Sequence, residues 1–500
     1  MRRLMGILLS LLLAAGAAAG FAEGQLQAPD YILEGFDGDG ANHNWEDNLF
    51  FERMQKETGI RFELRQHTEE TDWTTRKGEI LLEENLPDVL FKASLTDDDV
   101  RSMAEKGILI DLKPYLAEYA PDLWALLEAN PDWMKAVTLP DGSIRALPAI
   151  NELPANEVVW INRSWLDTLN LEMPTTAEEL TEVLRAFKLQ DPNRNGKPDE
   201  IPLSALGTWD LRFLGHAFGI TDNDYHVSLK DGKAVSSLTT ADNRAFLEWL
   251  HTLWTEGLLS HDCFSTADSI RAITDSNAAI TYGVFLTSSP LNLVPAEAMD
   301  QYEVLEPLVY NGEQVYRDLL TPLTKGTFAI TRRCESPERM VAWVNRLYTK
   351  EGSLLLHMGV EGEEYTWNED DRWEWLKDSN TVMNEVLPNA TLGDGGVAPG
   401  IVTREIQEKY VDNSAVRLVQ QLETLLDYAV TPFPPVTMSA ADAKTVRDLQ
   451  SRIAPFAEQR MAEFVTGDRP LDDGQWQEYT EELERLGLNE MLAVWQKYAE

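Results

Sequence analysis

Apolar positions recur along this chain with two periods, every second residue and every third or fourth. Switching between the two predicts strands alternating with helices. Asp30–Phe36 reads as the first strand. A helix follows from about Trp45 to Thr58, stopped by Gly59. Ile60–Leu64 alternates as a strand, Trp73–Glu84 is helical, and Leu86–Phe91 is a short apolar strand. That order is the rhythm of an α/β lobe with largely parallel strands. Residues 99–140 are helical and loop-rich, with Pro121 and Pro131 suited to first helical turns. Ala149–Glu152 is the expected first crossing into another lobe.

Glu157–Asn162 predicts a strand carrying Val158, Trp160 and Asn162 on one face. Thr175 and Thr176 cap the next helix, with Glu178 and Glu179 placed as capping-box acids. Leu180, Val183, Leu184 and Phe187 form its apolar stripe. Ile201–Leu206 reads as a strand ending at Gly207–Asp210. Phe246, Leu250 and Leu253 mark a helix stopped at Gly257, and Ala278–Thr281 a strand ending at Tyr282. Thr327–Thr331 and a helix opened by Ser336 return to the first lobe. From Glu351 onward the pattern is helical with acidic loops, broken at Pro432–Pro435 and closing on an amphipathic stretch, Glu478–Tyr498. The resulting map puts residues 23–150 and 305–350 in a first α/β lobe. Residues 151–304 and 351–500 form a second, with a helical C-terminal extension.

Five hundred residues exceed what one core accommodates, so two lobes are expected. The N-terminus carries Arg2 and Arg3, an apolar run from Leu4 to Ala19, and small residues at Gly20–Ala22. It reads as a secretory leader over residues 1–22, too short to span a bilayer comfortably. Its removal takes the formal charge from −41 to −43, because it holds two arginines and no acid. Such a surface repels nucleic acid and anionic membranes. Cys263 and Cys334 are the only cysteines. They offer no zinc spacing and no lipid-attachment cysteine near the leader. The map separates them into different lobes, so they are expected to stay unpaired.

Nucleophile elbows, His-Glu-x-x-His and phosphate-binding glycine loops are all absent from the sequence. Paired carboxylates of the glycosidase kind carry no signal among 84 acids. Two features do carry chemistry. In Asp191–Pro202, oxygen-bearing side chains fall at alternate positions, Asp191, Asn193 and Asn195, followed by Gly196, Asp199 and Glu200. This is how a loop wraps Ca²⁺, with the Lys197 carbonyl as a further oxygen. Pro202 stands where an EF-hand has its closing Glu, so Asp199 or Glu200 must close the cage. Such a calcium would be structural. The second feature is a set of aromatics at strand ends, where open α/β sheets place their ligands. Trp209, Tyr282 and Ser94 fall there, Trp160 lies near the crossing, and Trp45 and Trp73 are further candidates. Glu152, Asn151 and Asp210 are the nearest groups to hold hydroxyls. Aromatic faces with placed amides and carboxylates make a carbohydrate site.

Six phrases in this order carry a resemblance: LPDVLF (86–91), LPDGSIRALPAINE (139–152), WINRSWLDTLNLEMPTT (160–176), DPNRNGKPDEIP (191–202), LWTEGLL (253–259) and GVEGEEYTW (359–367). From about residue 30 to the C-terminus the chain resembles the extracellular solute-binding proteins, family 1, of ABC importers. The likeness is to the oligosaccharide- and alginate-binding kind, with lipoprotein homologues in Gram-positive bacteria. The resemblance implies a periplasmic-binding-protein-like fold of type II, two hinged α/β lobes with mainly parallel sheets. It implies Ca²⁺ on Asp191, Asn193, Asn195, Lys197, Asp199 and Glu200. It implies no catalysis, a monomer, and delivery of an oligosaccharide to a membrane permease from the outer face of the cell. Two positions depart from the pattern. No lipobox cysteine follows the leader, and Trp160 stands where many relatives have Tyr. The alternatives to be separated are a secreted glycoside-active enzyme and a sugar-sensing or adhesive surface protein.

Overall fold

The computed structural model describes residues 30–499 except 39–42, 153–157, 206, 265–272, 274–276, 291–292, 318–321, 379–380, 394–396, 412, 435 and 437. The leader therefore lies outside the described residues. Two mixed sheets organise the chain. The first has six strands in the order Gly400–Val402, Leu147–Asn151, Leu323–Ile330, Val89–Phe91, Tyr31–Phe36, Phe62–His67. All run the same way except Leu323–Ile330. The second has four, Tyr302–Val304, Val158–Asn162, Tyr282–Thr287 and Ile201–Ser204, of which only Val158–Asn162 is reversed. Each lobe is thus a mainly parallel sheet with one opposed strand, flanked by helices.

Local chemistry sets the helix limits. Thr176 accepts a hydrogen bond from the Glu179 amide to open Ala177–Leu189, whose Leu180, Leu184 and Phe187 are fully buried. Gly59 stops Leu49–Thr58 in the left-handed region, at φ 70°. Around the first sheet Leu33, Phe50, Phe91, Phe328 and Trp343 form one core. In the second lobe Trp165, Phe187, Leu203 and Val284 form another. The helices Ala440–Thr466, Asp473–Leu486 and Leu488–Gln496 drive Ile453, Leu483 and Trp495 into that second core. Their apolar stripes therefore have a single destination, the second lobe.

Three differences from the sequence map have physical causes. Residues 351–402 pack on the first sheet, because Leu356, Leu392, Ala398 and Ile401 join its core and Gly400–Val402 pairs with Leu147–Asn151. A three-residue strand leaves no periodicity to read. Conversely Leu305 and Leu308 belong to the second core, and Tyr302–Val304 to the second sheet. Among the described residues the chain thus runs from first lobe to second, back to the first and again to the second. Finally, the strand expected at Ala278–Thr281 is instead Tyr282–Thr287, buried along its whole length. A strand covered on both faces shows no alternation.

Cys263 sits in the second core and Cys334 in the first; both are free and buried. Burial pushes each thiol up to about 11. Both are expected to ignore a thiol reagent in the folded protein and to titrate as two free thiols after unfolding without reductant. A count of zero by colorimetric titration would contradict the structure.

Candidate functional site

At the carboxyl ends of the first sheet the backbone turns through a tightly fixed platform. Asp37, next after Phe36, is 1% exposed and accepts from three donors. These are Lys92 Nζ at 2.7 Å, His43 Nδ1 at 2.9 Å and Trp45 Nε1 at 2.5 Å. Lys92 Nζ also donates to the Leu392 carbonyl at 3.0 Å. A fully buried ammonium is tolerable because it is paired and hydrogen-bonded. Lys92 and Ser94 both take positive φ, 51° and 45°, which turns Ser94 outward to solvent. Trp73 Nε1 pins the same loop through the Ala93 carbonyl at 2.8 Å.

Beyond this platform a cavity of about 370 Å³ opens between the lobes, within the usual range of small-ligand pockets, roughly 300–1,000 Å³. One wall is the start of the first-lobe helix Asp97–Glu105, with Thr96, Asp98 and Arg101. The other is second-lobe surface, with Tyr225, Arg447 and Trp495. Asp98 pairs with Arg101 at 2.7 Å and, across the lobes, with Arg447. None of these cross-lobe residues was read from the sequence, because Tyr225, Arg447 and Trp495 come from widely separated segments.

The predicted aromatics divide. Trp209 is 41% exposed at the start of Thr208–Leu211, with the Arg212 guanidinium 4.3 Å above its ring. Asp210 beside it is buried. Trp45, Trp73, Trp160 and Tyr282 are corrections: none is more than 5% exposed. Trp45 packs edge-on to Phe91, and Trp160 Nε1 donates to the Thr287 carbonyl at 2.8 Å. Tyr282 opens its strand instead of ending it, so it stands at the end remote from the carboxyl-end cleft. Asn151 and Glu152 are also corrected. Their polar atoms tie the first crossing to the third. Glu152 donates its N–H to the Val402 carbonyl at 3.0 Å and its carboxylate accepts the Arg404 N–H at 2.7 Å. Asn151 Oδ1 accepts from Gln407 Nε2 at 3.0 Å.

The Asp191 loop holds together as an oxygen ladder. Asp191 accepts from the backbone N–H of Asn195 and Gly196, and Asn195 Oδ1 from that of Lys197. Asp191, Arg194 and Gly196 lie at φ 46°, 55° and 73°. Asn193 and Asn195 donate their amides to Asp199, holding its carboxyl low. Glu200 is the informative member. Its Oε1 is buried and has no hydrogen-bond partner among the described residues. Burial, then Asp199 and Asp191, raises its pKa. A buried acceptor facing two more carboxylates fits a hard cation. Among the described residues no three acidic, His or Cys side chains already stand in a ligating cluster, so a cation would draw in the amide oxygens and backbone carbonyls.

The chain folds into two α/β lobes with a cavity between them. The chain is a homologue of the substrate-binding proteins of ABC transporters. No family model matches it. It is 27% identical to the fructooligosaccharide ABC transporter substrate-binding protein FusA of Streptococcus pneumoniae, over 98% of this chain and 96% of that one. It is 22% identical to the lipoprotein LipO of Bacillus subtilis over 77% and 76%. FusA in complex with kestose superposes with a TM-score of 0.76 at 25% identity, covering 94% and 98% of the two chains. A FusA EF-hand mutant in complex with fructo-nystose gives 0.75 at 24%, over the same shares. An extracellular solute-binding protein from Bifidobacterium longum subsp. infantis gives 0.80 at 22%, also covering 94% and 98%. FusA and the Bifidobacterium protein are both named as binding proteins. Among the described residues no helix is long and apolar enough to cross a membrane.

Proposed function

We propose that this protein captures an oligosaccharide between its lobes outside the cell and hands it unchanged to an ABC permease. The observation that carries the reading is the cavity shared by both lobes, in a chain matched over nearly its whole length by FusA. Closure is driven only by the ligand's greater affinity for the closed form. The described part of the hinge is the third crossing, which Glu152 and Asn151 brace. First-lobe segments are 30–151 and 322–402, and second-lobe segments 158–317 and 413–499. Ser94, Trp209 and the cavity walls are the ligand-facing groups.

Calorimetry with neutral fructo-oligosaccharides, other neutral oligomers and uronate oligomers, paired with small-angle scattering, tests this. One class of sugar is expected to bind and reduce the radius of gyration. Absence of binding and compaction across the panel overturns the reading, as does release of reducing sugar. Trp209→Ala is expected to weaken that sugar by about tenfold or more, about 1.4 kcal/mol. Its partly exposed ring should contribute little to stability, so the urea midpoint is expected to stay close to that of the unsubstituted protein.

We further assign a structural Ca²⁺ to Asp191, Asn193, Asn195, the Lys197 carbonyl, Asp199 and Glu200. The support is the unpartnered, buried Glu200 oxygen and the alternating oxygens around it. The ion would supply charge neutralisation and hold the loop beside the Ile280 carbonyl, which Asn193 reaches at 3.2 Å.

A further inference from the structure

Beneath Trp209 two guanidinia converge on one carboxylate. Arg212 Nη2 donates to Asp222 Oδ1 at 2.9 Å, and Arg317 Nη1 donates to the same oxygen at 3.0 Å. The other Asp222 oxygen accepts from the Ser237 hydroxyl. His216 and His226 flank the group. Burial first, then the neighbouring arginines, push both below the usual imidazole range, which favours their neutral forms, although His226 Nδ1 lies 3.4 Å from Asp222 Oδ2. Arg212, Asp222 and Arg317 are between 1% and 11% exposed, so two cations face one buried anion; Asp224, which also acts on Arg317, is exposed to solvent.

The donor count is also unbalanced. Among the described residues Arg212 Nη1 and Arg317 Nε and Nη2 have no acceptor, although all three atoms are buried. The flat faces of both guanidinia are used, Arg212 over Trp209 at 4.3 Å and Arg317 over Phe213 at 4.5 Å. Stacking leaves their N–H edges unsatisfied. Beside Arg212 lies a cavity of about 50 Å³ whose wall includes Thr208, Trp209, Ser237 and Asn243. That is room for a few water-sized bodies, at roughly 10–15 Å³ each, and far too little for a sugar ring. Water would satisfy the donors but leave the buried charge uncompensated. Glu458 borders the same cavity at its exposed side, where solvent screens it.

We propose that this cavity binds a small monovalent anion, a halide, against the free edge of Arg212, which closes the charge balance of the Arg212–Asp222–Arg317 group. The site shares no lining residue with the cavity between the lobes, and although Trp209, proposed above as ligand-facing, borders it, the proposal does not depend on which solute that cavity takes.

Crystals grown in sodium bromide, with diffraction collected at the bromine edge, test it directly. An anomalous peak is expected within hydrogen-bond reach of the Arg212 guanidinium. The thermal midpoint is also expected to be higher in bromide than in gluconate at equal ionic strength, with the difference absent in Arg212→Met. Matching ionic strength removes general screening of the acidic surface. Ordered water alone in the cavity overturns the proposal. So does a peak without a difference in midpoint, which is binding at crystal concentration only, and so does a difference that survives in Arg212→Met. Should that variant not fold, the peak and the midpoint difference in the unsubstituted protein decide the matter.

Discussion

Replacing Asp222 by Asn is expected to destabilise the protein by about 3–5 kcal/mol, the usual cost of stripping one partner from a buried ion group. Among the described residues Asp222 is the one carboxylate that both guanidinia hydrogen-bond, and Arg317 is 1% exposed. Arg317 directly precedes one crossing between the lobes, and its N–H donates to His216 Nε2 at 3.1 Å. The damage should therefore reach the hinge as well as the second core. Urea unfolding measures it; a midpoint equal to that of the unsubstituted protein would remove the group from the account of stability.

The same group sets an acid limit. Burial raises the Asp222 carboxyl, but Arg212, His226 and Arg317 together hold it well below its ordinary 3.8. Its contribution is present above the unfolded value and is lost as pH falls through the folded one. His216 is pushed down to about 3 by burial first and then by Arg317. The unfolded chain therefore gains its proton first, and stability falls as pH drops from 6.5 toward 3. Both contributions have the same sign. The urea midpoint should decline across that interval, and a flat profile would contradict the burial of these groups.

Calcium is expected to produce the second large effect. Saturation at about a thousandfold over the dissociation constant stabilises by about 4 kcal/mol. Chelation should lower the thermal midpoint by several degrees, and Asp191→Ala should abolish the response. Glu200→Gln gives the sharper measurement, because its sign reverses with calcium. Without metal the Glu200 carboxyl has a raised pKa. Stability it contributes while protonated is lost as pH rises through the folded value, so at neutral pH its ionised form is a burden. Gln should then leave the metal-free protein as stable or more stable, and make the calcium-loaded protein less stable. Scanning calorimetry with and without chelator reads both. If Gln shifts both forms equally, Glu200 is not a ligand.

Local rules in the sequence settled a good deal. The hydrogen-bonded loop of Asp191–Glu200 is legible because its oxygens are contiguous in the chain and a positive φ at Gly196 is a property of one residue. The Thr176 cap and the stop at Gly59 are equally local. The α/β rhythm over residues 31–91 followed from periodicity, and so did the helical C-terminal part. The order of the six phrases carried a resemblance to the solute-binding proteins, and the fold is similar to that of FusA.

Only the tertiary structure decided where those pieces meet. Gly400–Val402 joins the first sheet through a parallel partner more than two hundred residues away, and nothing in three residues records that. Asn151 and Glu152 have the chemistry of hydroxyl-binding groups, yet the third crossing consumes it. Trp45, Trp73 and Trp160 look alike with Trp209 in the sequence, and burial alone separates them. A binding cavity built from two lobes is a property of how distant surfaces face each other. Hydrophobic spacing fixes which side of an element is buried, but not which neighbour buries it.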